Sequence, residues 1–173
     1  MDVNEVIVGN VCSLCAMVTD SISSIRKKHN EILAIQTLSQ LFYGAGSMIL
    51  KGFSSTAQNV SGILRNLAAM KNVRGKVVEW FLISLGVVHG ILFNNCGLVG
   101  WLPIAANLEY SIPFFRFKNK ERSLKIAFMI NMLMYSVFSV VIQNYVGAVA
   151  NLFVAGTGTT LITLIREGTG YDG

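Results

Sequence analysis

Two tyrosines and two asparagines recur at one spacing and could line a binding site for a polar solute. Tyr43 and Asn59 stand eight residues before and after position 51, and Tyr135 and Asn151 stand eight residues before and after position 143. In helices that rise 1.5 Å per residue, all four would lie roughly 12 Å below one membrane surface. Asparagine donates and accepts hydrogen bonds and tyrosine offers a flat wall, which suits a solute with hydroxyl or amide groups. Each asparagine could instead join helices within its own half of the chain, but the repetition favours a binding site.

Three ionisable residues form a second candidate site nearer the opposite membrane surface. Asp20, Arg65 and Glu109 each lie five or six residues from the end of an apolar run, which is roughly 8–9 Å deep by helix rise. Charged groups at such depth are rarely unpaired. One interpretation is a structural ion pair of Arg65 with Asp20 or Glu109. The other is a gate, or an arginine that binds an anionic solute, and Pro113 is placed to act as a hinge for it.

The sequence offers little material for catalysis or metal binding. Cys12 and Cys15 form a Cys-x-x-Cys pair inside an apolar run without further ligands, so helix packing is the better interpretation. The two histidines stand apart, and the chain has no HExxH motif and no Ser–His–Asp set. We therefore expect no enzyme activity, no cofactor and no metal.

Composition indicates lipid as the solvent of this chain. Of its 173 residues, 53% are hydrophobic and 13% are charged, whereas a soluble domain usually carries about 25% charge. The net charge of +5 is concentrated in short clusters between apolar runs, without the aromatic residues of a nucleic-acid surface, so we expect no nucleic-acid partner. The N-terminus is acidic, which excludes a secretory signal and predicts that the first apolar run is kept.

Seven apolar runs approach the roughly 20 residues that a membrane span requires. They are 6–25, 32–50, 53–70, 77–93, 98–115, 124–142 and 145–165. With seven spans, twelve of the fourteen Lys and Arg residues fall on the face that also carries the C-terminus. Because flanking basic residues stay in the cytoplasm, the sequence predicts a multi-pass inner-membrane protein with its N-terminus outside and its C-terminus cytoplasmic.

The chain also contains a weak internal repeat. An offset of 92 residues aligns the second and third spans with the sixth and seventh, and it matches Tyr43 with Tyr135 and Asn59 with Asn151. An offset of 90 aligns the ends of the first and fifth spans. Such duplication is common in transporters. The predicted fold is all-α and integral to the membrane, with seven transmembrane helices in a 3+1+3 plan. A first triple-helix bundle occupies 1–71, a linker transmembrane helix 72–96 and a second triple-helix bundle 97–173.

Two stretches, GFSSTAQNVSGILRN at 52–66 and WLPI at 101–104, carry a likeness to a known family. The chain resembles the YgjV family of bacterial inner-membrane proteins, within the SWEET and PQ-loop transporter superfamily. SWEET proteins carry a bulky aromatic residue on the second helix of each bundle and an asparagine on the third. The resemblance therefore implies that Tyr43, Asn59, Tyr135 and Asn151 bind the solute.

The chain departs from the SWEET pattern at two points and from the expected YgjV pattern at one. It has tyrosine where SWEET proteins usually have tryptophan. Pro113 matches the proline of their Pro-Gln pair but is followed by Phe114, and the first half has Ser23 there. Gly62 stands where we expect a polar residue in the YgjV family. These departures weigh against a sugar as the solute.

Two functions from different classes fit the sequence. The first is a transporter that moves a small polar solute, such as a sugar or vitamin, by alternating access between the two bundles. The alternative is a non-transporting membrane partner or sensor. The short loops count against this alternative because they leave little surface for docking. The expected partners are the lipid bilayer and the solute, and a homo-oligomer is compatible with the sequence.

Overall fold

The protein is helical throughout the part of the chain that the structure describes. The computed structural model describes residues 1–24, 28–73, 75–116, 121–153 and 155–156, which contain no strand. Six helices are α1 (Val3–Ser24), α2 (His29–Ile49), α3 (Phe53–Met70), α4 (Lys76–Leu92), α5 (Trp101–Arg116) and α6 (Glu121–Val141). A seventh, α7, begins at residue 145. The all-α prediction is confirmed, and the predicted third span has the same bounds as α3.

The described helices bury small and polar residues and expose large aliphatic ones. Ser13, Ser39 and Ala16 are almost fully buried, whereas Val77 and Leu98 are 83% and 88% exposed. A water-soluble protein distributes these residue types the other way round. In a bilayer, lipid covers the large aliphatic side chains and small residues let helices approach closely. This distribution is that of a protein surrounded by lipid.

Length and hydropathy together single out two of the described helices as candidate membrane spans. They are Val3–Ser23 and Asn30–Ile49, and Met129–Val141 is a shorter apolar helix. The remaining helices fall short for different reasons. α4 and α5 have only 17 and 16 residues, and α3 is rich in serine, asparagine and glutamine.

Glycines bring α1 and α2 into close contact. A Cβ added at Gly46 would lie 2.9 Å from the carbonyl oxygen of Gly9 and 3.2 Å from Cβ of Cys12. The Leu50 side chain occupies the space in front of Gly9. Because neither glycine could carry a side chain without displacing the facing helix, the separation of α1 and α2 depends on both.

The α2–α3 and α6–α7 connections have the same backbone geometry. Lys51 and Gln143 adopt left-handed φ angles of 59° and 60°. The N–H of Gly52 donates to the Ser47 carbonyl at 2.7 Å, and the N–H of Asn144 donates to the Ser139 carbonyl at 2.8 Å. These are Schellman turns, in which a left-handed residue lets the chain satisfy the last helical carbonyls as it reverses. Both turns centre on the positions predicted from the span lengths.

An apolar cluster joins the connections at this end of the molecule, which we call the turn face. Leu50 from the α2–α3 connection packs with Phe138 and Ile142 from the end of α6. The α4–α5 connection adds Cys96 and Val99 to this cluster, and the start of α5 adds Leu102. The cluster therefore joins early and late parts of the chain at one end of the helices.

Two asparagines clamp the turns of the turn face. Asn95 donates to the Lys51 carbonyl at 2.6 Å and accepts from the Phe53 N–H at 3.3 Å. Asn10 donates to the Gln143 carbonyl at 2.9 Å and accepts from the Val146 N–H at 2.8 Å. Each amide thus bonds the left-handed residue of one turn and the first turn of the next helix. The Asn10 clamp also holds α1 beside α7.

Consecutive helices pack against each other along the chain, from α1 to α6. The α1–α2 and α2–α3 contacts are the most extensive. α3 also touches α5 directly, and α4 contacts both of them. The three helices α3, α4 and α5 therefore meet in one place, and the candidate site lies there.

Candidate functional site

A polar junction joins α3, α4 and α5 inside the helical bundle. The Gln58 amide on α3 donates to the Gly86 carbonyl on α4 at 2.9 Å. Its oxygen accepts a hydrogen bond from Asn107 on α5 at 2.6 Å. Gln58 is 3% exposed, so it is shielded from both water and lipid. Because a buried amide is costly unless its donors and acceptors are paired, this one side chain fixes the relative positions of three helices.

Small residues on α4 make room for the junction. A Cβ added at Gly86 would meet the Asn107 amide at 3.0 Å, and one added at Gly90 would overlap the Gln58 amide nitrogen. The two glycines stand four positions apart in a Gly-x-x-x-Gly pattern, which presents a flat face to a neighbouring helix. The sequence of α4 therefore lets the Gln58 side chain lie directly on its backbone.

Arg65 extends the junction by two helical turns along α3. Its Nη1 donates to Ser111 at 3.2 Å and to Asn107 at 3.4 Å. The guanidinium carbon lies 5.1 Å from the centre of the Tyr110 ring, in cation–π contact. Tyr135 on α6 lies in the neighbourhood of the guanidinium. The described contacts of Arg65 thus connect α3 with α5.

A small cavity lies beside the Arg65 guanidinium. Its volume is about 10 Å³, and its lining combines polar and aliphatic side chains, namely Ser61, Arg65, Leu82, Ile83, Asn107 and Ser111. A cavity of this size holds about one water molecule when polar groups surround it. The junction as it stands can hold a water but has no room for an organic solute.

The predicted solute-binding residues of the first half lie between α1, α2 and α3. Tyr43 is partly buried and lies near Asp20 on α1. Asn59 donates to the Ser55 carbonyl of its own helix at 3.0 Å. Its Cβ lies where a side chain at Gly44 would touch it, at 3.4 Å. The side-chain NH2 of Asn59 is therefore hydrogen-bonded within α3, and its side-chain oxygen remains able to accept a hydrogen bond beside α2.

The predicted residues of the second half are more closely enclosed. Asn151 is buried at 8% exposure and Tyr135 is partly buried. Among the hydrogen bonds and ring contacts of the described chain, none joins Tyr43, Asn59, Tyr135 and Asn151 to one another. Tyr135 lies near Arg65, so the structure brings one residue of the predicted binding site near one residue of the predicted gate.

The remaining predicted gate residues are separate from Arg65 in their contacts. Asp20 interacts with Ser39 on α2. Glu109 is partly exposed, and its buried Oε2 makes no hydrogen bond within the described part of the chain. Pro113 lies in the backbone of α5, and its side chain is outside the described residues. Ion pairs between described residues join Lys28 with Glu31 at 3.3 Å and Lys51 with Glu5 at 3.4 Å.

Comparison with known proteins identifies the family. The Imp-YgjV family, described as a bacterial inner membrane protein family, matches residues 7–168. The chain belongs to this family. No curated protein and no solved structure was found to match it. The family description agrees with the lipid-facing surface of the helices and places this chain among bacterial inner membrane proteins.

One departure from the expected pattern of this Imp-YgjV protein has a structural explanation. Gly62 stands where the sequence led us to expect a polar residue, and the Gln40 side chain from α2 fills the space in front of it. A Cβ added at Gly62 would lie 2.7 Å from the Gln40 amide nitrogen. The polar group is therefore present at this place but is supplied by the neighbouring helix.

The sequence interpretation of this Imp-YgjV protein missed the centre of the junction. None of Gln58, Asn107 and Ser111 was predicted as a site residue. The Gly-x-x-x-Gly pattern of Gly86 and Gly90 was the signal that could have found it, because it marks a helix face on which another chain segment packs. Residue spacing places Arg65 within the third apolar run, but spacing along a helix does not show which helix lies beside it.

Proposed function

We propose that this Imp-YgjV protein is a transporter that moves a small polar solute across the inner membrane between two three-helix units. The first unit is α1–α3, the second is α5–α7, and α4 is the linker between them. The observation that carries the proposal is a set of interhelical hydrogen bonds at matched positions of the two units. A duplicated unit whose copies face each other is the plan on which many transporters are built.

The first matched contact joins the first and second helices of each unit. The Ser39 hydroxyl donates to the Ala16 carbonyl at 3.3 Å, and the Asn131 amide donates to the Ala106 carbonyl at 2.7 Å. The donors are 92 positions apart and the acceptors 90, which are the two offsets read from the sequence. The contact supports equivalent packing of α1 with α2 and of α5 with α6.

The second matched contact joins the second and third helices of each unit. Thr56 on α3 donates to the Gly44 carbonyl on α2 at 3.3 Å. In the other unit, Ser136 on α6 donates to the Ala148 carbonyl on α7 at 3.0 Å. Both members of each pair are offset by 92 positions, although the hydroxyl has moved to the opposite helix. The match supports a shared backbone arrangement that does not depend on identical side chains.

The closed turn face and the small volume of the cavity beside Arg65 fit one step of an alternating-access cycle. The apolar cluster and the Asn10 and Asn95 clamps hold the units together at the turn face, while the cavity beside Arg65 is only the size of a water molecule. Rocking of one unit against the other would open a larger space along the α3–α5 contact. Arg65 would then face that space and could bind an anionic group of the solute.

The same proposal assigns roles to the predicted binding residues. Asn59 and Asn151 would bind hydroxyl or amide groups of the solute, and Tyr43 and Tyr135 would pack against its flat or apolar part. Asp20, Glu109 and Pro113 would act at the opposite membrane surface as the gate and its hinge. A transporter of this plan needs no cofactor and performs no chemical step.

The test is solute-dependent thermal stabilisation of the purified protein against sugars, amino acids, nucleosides, vitamins and organic anions. A solute at 100 times its Kd stabilises the folded state by about 2.7 kcal/mol. We expect one class to raise the melting temperature, and we expect Asn59→Ala/Asn151→Ala to abolish the shift. If Arg65→Gln abolishes the rise in melting temperature for anionic solutes alone, Arg65 binds the solute. Transport of the same solute into proteoliposomes must follow.

A matched control keeps the binding test separate from folding. Asn30→Ala removes an exposed amide at the start of α2 and should leave the shift unchanged. If no solute shifts the wild-type protein, or if a shift survives in the double variant, the midplane site is wrong. The non-transporting alternative would then be favoured, since the cavity beside Arg65 has no room for an organic solute.

The orientation can be tested with cysteines at the two surfaces. We propose that the turn face is periplasmic, with the N-terminus outside and the C-terminus in the cytoplasm. Burial raises the pKa of the Cys96 thiol above its usual value, so the fully exposed neighbour Leu98→Cys is the better reporter in a cysteine-free background. An impermeant maleimide should label Leu98→Cys, and not Asn72→Cys, in spheroplasts. The opposite result would reverse the orientation and leave the fold unchanged.

A further inference from the structure

A large apolar cleft runs along the outside of α3, apart from the polar junction. Its volume is about 500 Å³, and α2, α3 and α4 contribute its walls, namely Met48, Phe53, Thr56, Ala57, Val60, Ser61, Leu64, Leu85, His89 and Phe93. Met48, Val60 and Phe93 are more than half exposed, so the cleft opens sideways to lipid. Its volume and its apolar walls with few polar groups are typical of a small-molecule site.

The long axis of the cleft follows the membrane normal. Phe53 begins α3 at the turn face, and Leu64 lies eleven residues further along the same helix, which is about 16 Å at 1.5 Å per residue. His89 lies three residues before the end of α4 at the turn face, only about 4–5 Å along the axis from that end. The cleft therefore has a polar group near the membrane surface and an apolar floor toward the membrane centre.

The hydrogen bonding of His89 defines what its free edge can bind. Its Nδ1 lies 3.0 Å from the Leu85 carbonyl oxygen. Because a carbonyl only accepts, Nδ1 carries the hydrogen, and Nε2 of the uncharged ring is an acceptor. The ring stacks on Phe93 at 6.3 Å between centroids with 17° between planes. The imidazole is thus held in one tautomer and one orientation at the mouth of the cleft.

The other polar side chains of the cleft already have local partners. The Thr56 hydroxyl bonds the Gly44 and Gly52 carbonyls, and the Ser61 hydroxyl bonds the Ala57 carbonyl. The His89 acceptor at the surface end and the apolar groove below it match a ligand with one donor group and one long apolar chain.

We propose that this cleft binds a membrane amphiphile from the leaflet at the turn face, with a hydroxyl of its head donating to Nε2 of His89 and one acyl or alkyl chain lying along α3 as far as Leu64. The site goes beyond the proposed transport function, since it lies on the lipid-facing side of α3. Ser61 lines both the cleft and the cavity beside Arg65. The end of the bound chain therefore lies one side chain away from the polar junction.

The proposal is tested by photolabelling in vesicles of phosphatidylethanolamine and phosphatidylglycerol. The probe is a hexadecanol with a diazirine in mid-chain, and its methyl ether is the comparison because it cannot donate a hydrogen bond. Labelled residues are mapped by mass spectrometry. We expect the alcohol to label Val60, Leu64 and Leu85 several-fold more than Val137 and Val149, and the ether to lose most of this preference.

Variants separate the site from general contact with lipid. His89→Phe keeps the ring and should reduce labelling by the alcohol to the level of the ether, whereas His89→Gln should restore part of it. Val60→Trp fills the cleft and should remove labelling by both probes. Val149→Trp, on an exposed position of α7, should leave labelling unchanged and controls for folding of a bulky lipid-facing variant.

Three results would overturn the proposal. Uniform labelling of all lipid-facing helices would mean that the cleft has no specific occupant. Equal labelling by alcohol and ether would exclude the bond to His89. Exclusion of both probes together with a crosslinked dimer that Val60→Trp abolishes would show that a second copy of the chain fills the cleft.

Discussion

The α2–α3 and α6–α7 turns share a backbone but are completed by different side chains. At one matched position the first turn has Gly52 and the second has Asn144. A Cβ at Gly52 would lie 3.0 Å from Ile142 and 3.2 Å from Phe138, so the first turn must stay bare where α6 rests on it. Asn144 instead accepts a hydrogen bond from the Gly147 N–H at 3.0 Å and caps its own helix.

The clamps of the two turns also come from unrelated places. Asn95 belongs to the α4–α5 connection and Asn10 belongs to α1. Both donate to the carbonyl of the left-handed residue of their turn, and each accepts from an N–H in the first turn of the next helix, which is Phe53 in one case and Val146 in the other. The two turns therefore share the path of the backbone and the backbone N–H and C=O groups that this path leaves without a partner in the helix. Any nearby asparagine can satisfy those groups, so the side chains diverge while the turn geometry stays.

The largest effect should come from Phe138, which packs against the α2–α3 turn. Phe138 is fully buried, and Phe138→Ala should lower the free energy of unfolding by about 3–5 kcal/mol because it leaves a cavity. Chemical unfolding in detergent micelles measures this. The neighbouring Val137→Ala, at a position 57% exposed to lipid, should cost far less. Similar losses in both variants would mean that the apolar cluster does not join the two turns.

Removal of either clamp should have a smaller and nearly equal effect. Asn10→Ala and Asn95→Ala each delete two hydrogen bonds to the backbone of a turn, and at about 1 kcal/mol for each bond the loss is about 2 kcal/mol. Hydrogen exchange of the Phe53 and Val146 amides should accelerate only in the variant that lacks the corresponding clamp. Acceleration at both turns in either variant would show that they open together.

Loss of the α7 cap should have the next largest effect on stability. Asn144→Ala should cost about 1 kcal/mol, as is usual for an N-cap. Asn144→Gly makes the second turn resemble the first at this position and should cost less, since glycine is tolerated at caps. Unfolding in micelles is again the measurement. An unchanged stability in Asn144→Ala would show that water replaces the cap at the membrane surface.

The smallest effect should come from the matched hydroxyls. Thr56→Val and Ser136→Ala each remove one interhelical hydrogen bond, and such bonds in membranes average about 0.6 kcal/mol. We expect the two losses to agree within a few tenths of a kcal/mol. A loss confined to one variant would argue that the two units are not packed in the same way.

The sequence predicted features that depend on distance along the chain. The centres of the two turns and the bounds of α3 follow from counting residues in apolar runs. The clamps, the apolar cluster and the polar junction depend on which helices lie side by side. Gln58 and Asn107 are 49 positions apart, and no periodic pattern of either helix identifies the other as its partner.

The short fourth and fifth helices have a consequence for the surrounding bilayer. With 16 residues, α5 is about 24 Å long, whereas the hydrocarbon core is about 30 Å thick. In the proposed arrangement, in which α4 and α5 span the bilayer, the bilayer beside them must become thinner, while the bilayer beside α1, at 22 residues, need not. The deformation would then be confined to the side of the protein that carries α4 and α5. The protein should accordingly be more stable in bilayers of shorter acyl chains and should partition toward thinner membrane regions.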